Sequence, residues 1–322
     1  VSGPARSGAP AVLVGVDTEA DDQWSAAGRQ ALSVRNAERL GALQQLFDAL
    51  GVRPTYLVTH EMASRAESAA VLRGLFSGGR CEIGAHLHPW SSPPFRPEDQ
   101  DGRYPHQLPT ALLRRQLTEL TETIEGAMGR RPTSYRAGRH GFDERSLVIL
   151  EELGYTVDTS VDPLFNERRK GGPTFAGAPL RPYRPDYRDV RRPGGARILE
   201  IPVSAATAPR LPKPLERLYT SLPPIPYRGA LKRVGLRAVW LRPSYTALPD
   251  MLAFASRLGA EGVPCFNLLF HSSELLPGGS PYTPDQRSVD RFLDHLRRVL
   301  EHLTGPLGAV GRTYAEFAAG WS

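Results

Sequence analysis

The chain has 322 residues, with 40 Lys and Arg against 34 Asp and Glu for a net charge of +6, and two cysteines. That length suits one large α/β domain or two ordinary ones with a sizeable core, and 40% hydrophobic residues beside 23% charged excludes a disordered chain. No apolar run approaches the roughly 18 residues that span a bilayer, Val1–Pro10 lacks the apolar core of a secretory signal, and Cys81 and Cys265 read as reduced core thiols, so a cytoplasmic protein is expected.

Strand and helix patterns alternate along the chain. Ala11–Val16 reads as an apolar strand, and Ser33–Leu50 as an amphipathic helix with Leu40, Leu43, Phe47 and Leu50 on one face, stopped by Gly51. A strand at Thr55–Thr59, a helix over Glu61–Phe76, the strand Cys81–His86 and a long helix over Pro109–Met128 follow. Tyr135–Ala137 is a short strand, Asp143 caps a helix ending near Leu153, and Tyr155–Asp158 and Arg197–Ser204 return as strands. A helix over Leu248–Leu258 feeds the strand Val263–Phe270, Thr283-Pro284 marks the capped start of a helix to Leu303, and a last strand and short helix close the pattern. Such alternation predicts a parallel sheet with helices outside, open or barrel-shaped, with its chemistry at the carboxyl ends of the strands. Residues 1–10 read as a disordered tail and 11–322 as a single domain, with 168–242 as a basic, proline-rich insertion within it.

The polar constellations fall at those strand ends. His86 and His88, spaced i, i+2 at the end of an apolar strand, leave the same face, and two imidazoles converging in this way hold a divalent metal if a carboxylate joins them. Asp17, Glu19, Asp21 and Asp22 crowd the end of the first strand, where a cation would relieve their repulsion, and extended geometry turns Asp17 and Glu19 the same way. His271 ends the strand before Ser-Ser-Glu, placed to act as a general acid for a departing amine. Arg136 and Arg139 sit on a short strand and Gly-rich turn; one guanidinium beside a carboxylate base keeps it ionised, and a second grips a substrate phosphate or carboxylate. His140 has no role fixed by the pattern.

The run Val16-Asp17-Thr18-Glu19, the stretch from Glu82 to Trp90, Arg136-Ala137-Gly138-Arg139, Asp158-Thr159-Ser160, Glu200-Ile201-Pro202 and Phe270-His271-Ser272-Ser273-Glu274, in this order, resemble the NodB-homology polysaccharide deacetylases (carbohydrate esterase family 4), and within them the WalW-like subgroup. The resemblance covers about residues 11–318. It implies a distorted (β/α)7 barrel and metal-dependent removal of the N-acetyl group of an amino sugar, as a hydrolase acting on an amide bond. By position, Asp17 matches the catalytic base, His86 the first metal histidine, Arg136 the arginine that orients the base and His271 the general acid. Asp158 matches a later aspartate that would hold the His271 tautomer. Thr18 stands where the family has a second aspartate and Trp90 where it has its second histidine, so Glu19, or Asp21 or Asp22, and His88 would complete the metal set. Arg139, His140, Trp90 and Glu274 are then expected at the substrate. A deformylase or ureide-type amidase on the same fold, and an inactive glycan-binding protein, are the alternatives. Two histidines and one carboxylate suit Zn best and tolerate Co, Ni, Mn or Fe.

Charge is unevenly spread. Residues 168–242 hold 17 Lys/Arg against 4 Asp/Glu, and the rest 23 against 30. With no nucleic-acid motif, this favours an N-acylated amino sugar that is itself phosphate-, nucleotide- or lipid-linked, or peripheral contact with an anionic membrane.

Overall fold

The computed structural model describes residues 8–95, 103–222 and 227–321. The tail expected over residues 1–10 lies largely outside them. Eight strands form one parallel sheet: β1 Ala11–Thr18, β2 Thr55–Val58, β3 Glu82–Leu87, β4 Ser134–Ala137, β5 Val157–Asp158, β6 Leu199–Glu200, β7 Cys265–His271 and β8 Val310–Gly311. Their order is β7-β1-β2-β3-β4-β5-β6, with β8 beside the start of β1.

β1 is buried along its whole length because it has two cores to serve. Val12, Val14 and Val16 join the large cluster between sheet and helices, while Ala11 and Leu13 join a smaller cluster with Leu57, Val157, Leu199, Ile201 and Tyr314 inside the curl of the sheet. The alternation follows from the two-residue period of a strand, and burial on both faces explains why the sequence shows a continuous apolar run. Between β6 and β7 there is no ladder. Ser204 closes the gap instead, its N–H donating to the Asn267 carbonyl at 3.1 Å while its Oγ accepts from the Asn267 N–H at 2.9 Å. The result is a curled parallel sheet forming a distorted α/β barrel, the form that the family resemblance implies and one of the two that the alternation of elements leaves open.

Several helices differ from the expected spans for local reasons. The single helix expected over Ser33–Leu50 is a 3-10 turn, Arg35–Arg39, followed by an α-helix, Leu40–Ala49. Asn36 ties the turn to the loop after β1 through the Glu19 carbonyl at 2.8 Å and Asp21 Oδ1 at 2.6 Å. The helix expected over Glu61–Phe76 breaks at Arg65, which is extended (φ −83°, ψ 133°), into His60–Ser64 and Ala66–Ser77. Asp285, not Thr283, caps the helix Gln286–Thr304 by accepting from the Ser288 N–H, and Thr283 bonds Ser280. Asp143 caps Glu144–Glu152 as expected. Cys81 and Cys265 are free and buried. The 168–242 stretch carries β6 itself, besides two antiparallel ribbons, Pro185–Asp186 with Asp189–Pro193 and Ala205–Ala208 with Arg237–Trp240.

Candidate active site

Strand parity and register assemble the site. Leu13, Gly15 and Asp17 alternate on the inner face of β1, and Glu19 follows just beyond its end; His86 and then His88 project inward from β3, Arg136 from β4, and His271 ends β7. Asp17 lies opposite His271 in the β1–β7 register, and His86 opposite Arg136 in β3–β4. They open into a cleft of about 490 Å³ at the carboxyl end of the barrel, also lined by Trp24, Trp90, Tyr104, Arg139, Arg242 and Tyr282.

Among the described residues, Glu19, His86 and His88 form a group whose ligand atoms all lie within 4.8 Å of one another, and all three are buried. Glu19 Oε2 is 2.8 Å from His88 Nε2 and 3.6 Å from His86 Nε2. His86 Nδ1 lies 2.9 Å from the Arg136 carbonyl, which can only accept, so Nδ1 carries the proton and Nε2 presents its lone pair. Burial pushes His88 down to about 4, against the pull of Glu19, so it is a neutral imidazole as a ligand must be. Burial alone would raise the Glu19 carboxyl, but His271, His86 and His88 together hold it well below the usual carboxylate range. Burial disfavours a charged His86, yet Asp17 and Glu19 outweigh it and favour positive charge there, as a bound cation would supply. Donor types, tautomer and charge therefore fit a divalent metal. Gly138 makes room for this geometry: a Cβ there would sit 2.3 Å from His88 Nδ1.

Behind the trio, Arg136 threads the barrel fully buried. Its Nη1 donates to Asp17 Oδ1 at 2.6 Å, Nε to the Thr159 carbonyl at 3.0 Å and Nη2 to Tyr314 Oη at 2.8 Å, and Tyr314 Oη donates to Asn267 Oδ1 at 2.7 Å. Burial opposes ionisation of Asp17, but the Arg136 charge prevails with help from His86 and His271, and its carboxyl stays below the usual range. Gly15 is required beside this chain, since a Cβ would lie 2.3 Å from Tyr314 Oη and 2.6 Å from Arg136 Nη2.

On the opposite wall, His271 Nε2 lies 3.8 Å from Asp17 Oδ2 and its Nδ1 lies 2.8 Å from Glu274 Oε1. Arg242 backs the pair, 3.2 Å from Glu274, and Trp24 packs edge-on against the His271 ring at 5.1 Å.

These positions redistribute several expected roles. Asp158 does not reach His271: Val157 points into the barrel, so Asp158 points out, where it accepts from Ser160 Oγ at 2.7 Å and pairs with Glu200. Glu274, expected at the substrate, is instead the buried partner of His271 Nδ1. Asp21 accepts from Ser33 and Asn36, and Asp22 from Ser25, so both alternatives to Glu19 are turned to the loop rather than to the histidines. Trp90 stacks on His88, ring centroids 4.2 Å apart, and donates to Gln23. Arg139 lies over the Tyr104 ring at 3.9 Å, on left-handed backbone (φ 53°) that continues through His140 (φ 59°). His140 Nδ1 donates to the Ser160 carbonyl at 2.9 Å, and burial lowers its pKa to about 4. Arg242, Trp24, Tyr104 and Tyr314 were not foreseen; Arg242 alone had a signal, since it follows an apolar strand end, Ala-Val-Trp-Leu.

No protein-family model matches the chain, and no curated protein matches it in sequence. Solved structures share its fold. A candidate glycoside hydrolase/deacetylase from Parabacteroides distasonis superposes with a TM-score of 0.64 at 14% identity, over 98% of this chain and 71% of that one. A candidate polysaccharide deacetylase from Mycobacterium smegmatis gives 0.60 at 14% identity, over 99% and 93%. The Puue allantoinase gives 0.55 at 14% identity, over 97% and 89%. At these identities the likeness is one of fold.

Proposed function

We propose that the protein is a metal-dependent amide hydrolase that removes the N-acetyl group of an amino sugar, as the WalW-like pattern of its motifs suggests. The observation that carries this reading is the placement of Glu19, His86 and His88 in one buried group, flanked by an ionised carboxylate, Asp17, and a histidine, His271, whose Nε2 is 3.8 Å from it.

Glu19, His86 and His88 would hold the divalent ion, Zn by ligand preference, which when bound polarises the amide carbonyl and acidifies water. Asp17, held ionised by Arg136 and aimed into the cleft, takes the proton of the attacking water. His271 donates a proton from Nε2 to the departing amine nitrogen. Glu274 accepts from Nδ1–H, which fixes the ring orientation and supports the imidazolium. Trp24, Trp90, Tyr104 and Tyr282 give the cleft apolar faces suited to the C–H faces of a sugar ring. Arg29, Arg139 and Lys170 at its rim suit a sugar that carries a phosphate or carboxylate.

The test is acetate release from neutral and phosphorylated N-acetylated amino sugars, with and without chelator. Release that stops with chelator and with His86→Ala, and returns on adding Zn or Co, is expected. Full activity of His86→Ala, or release of formate or a ureide product in place of acetate, would overturn the reading.

A further inference from the structure

The antiparallel strands Ala205–Ala208 and Arg237–Trp240 are joined by an excursion over residues 209–236, of which 209–222 and 227–236 are described. This excursion holds six cations, Arg210, Lys213, Arg217, Arg228, Lys232 and Arg233, against one acid, Glu216. Arg210 pairs with Glu261 outside it, whereas Arg217, Lys232 and Arg233 make no ion pair among the described residues.

The same excursion exposes large apolar side chains. The helix Lys213–Ser221 buries Tyr219 and Thr220, and it turns Leu215 (50% exposed) and Leu218 (59%) outward on another face. Tyr227 (55%) and Val234 (80%) are exposed beyond it, and Tyr245 (57%) just after the ribbon. Folding in water does not favour leaving five large apolar groups of one segment in solvent, and an excess of exposed apolar surface marks contact surfaces. Cations interspersed with outward apolar groups match a layer of negative headgroups over hydrocarbon. A second copy would set the same positive charge against itself. The excursion also leads directly into the cleft. Arg242 reaches Glu274, and Tyr245 packs against Tyr282 at the cleft wall, ring centroids 6.1 Å apart.

We propose that residues 209–222 and 227–236, with Tyr245, dock the protein on an anionic bilayer and set the cleft mouth at the headgroups. The surface lies outside the metal and proton-transfer residues, so it stands or falls apart from the proposed reaction.

The experiment is co-sedimentation of the full chain with vesicles of phosphatidylcholine alone and of phosphatidylcholine with about one third phosphatidylglycerol. Binding to the second and not the first is expected. Leu215→Glu/Leu218→Glu and Lys232→Glu/Arg233→Glu should each weaken it by about tenfold or more, with unchanged circular dichroism and melting. These positions are exposed, so the variants should fold. Absence of pelleting, equal binding to both vesicles, equal binding of the variants, or self-association through this surface in sedimentation velocity would each overturn the proposal.

Discussion

Replacing Arg136 by Met keeps a long side chain in the barrel but removes the charge. The change deletes the hydrogen bonds to Asp17, the Thr159 carbonyl and Tyr314 Oη, and two longer ones to the Gly15 carbonyl at 3.5 Å and Thr159 Oγ1 at 3.3 Å. The well-formed ones to the neutral Thr159 carbonyl and Tyr314 Oη cost about 1–2 kcal/mol each, the donor being charged. The larger effect is on Asp17, which is only 4% exposed and would keep a buried negative charge without the guanidinium that is its main counter-charge. Removing one partner of a buried pair costs about 3–5 kcal/mol, which sets the expected destabilisation. Asp17→Asn/Arg136→Met removes the orphaned carboxylate as well. It should therefore be more stable than Arg136→Met by about 2 kcal/mol. Urea denaturation followed by circular dichroism measures both, and total stabilities of about 5–15 kcal/mol leave the variants measurable. If Arg136→Met melts with the parent, or if the cycle shows coupling below about 0.5 kcal/mol, the pair does not hold Asp17 as described.

Glu274→Gln should lower kcat by about a hundredfold through loss of the carboxylate on His271 Nδ1, whereas Asp158→Asn, on the outer face, should leave kcat within about twofold; equal losses in steady-state assays would restore Asp158 to the histidine. Zn or Co at about 100 times its Kd should stabilise the protein by about 2.7 kcal/mol, read as a rise in melting temperature, and His86→Ala and His88→Ala should abolish that rise. Burial raises both Glu200 and Asp158, and the pair shares a proton kept by Glu200. Glu200 is thus neutral when folded and ionises near its ordinary 4.5 when unfolded, so its contribution to stability is full below that pH and is lost as pH climbs toward the folded value. Glu200→Gln should flatten the decline in stability above about pH 5 relative to the parent in thermal melts; an unchanged slope would remove Glu200 as its source.

The order of elements was legible because buried strands and amphipathic helices carry distinct periods, and the site was legible as far as parity reaches. His86 with His88 and Asp17 with Glu19 are same-face pairs, and the barrel keeps them so. The same rule places Asp158 outside, since Val157 must face in, yet matching by motif order set it beside His271. Glu274 was within reach as well, because the 3-10 turn Ser272–Leu275 stacks position i+3 under His271. Tyr314 was not, because its place depends on the docking of the final helix, and the apolar strand end before Arg242 marks that arginine without saying what it faces, which depends on closure of the gap between β6 and β7. The helix boundaries failed where a single tertiary bond, such as Asn36 to Asp21, outweighed a good local pattern.

Arg136 and Tyr314 are separated by 178 positions in the chain yet share a hydrogen bond at the centre of the barrel. During synthesis the guanidinium is made long before its phenol partner, so a nascent chain that has not reached residue 314 holds Asp17 against an incompletely seated arginine. The electrostatics of the cleft therefore become final only when almost the whole described chain is available, and competence for chemistry is tied to completion of folding. A lesion in the Tyr314–Ala319 helix, far from any substrate, would be read out at Asp17.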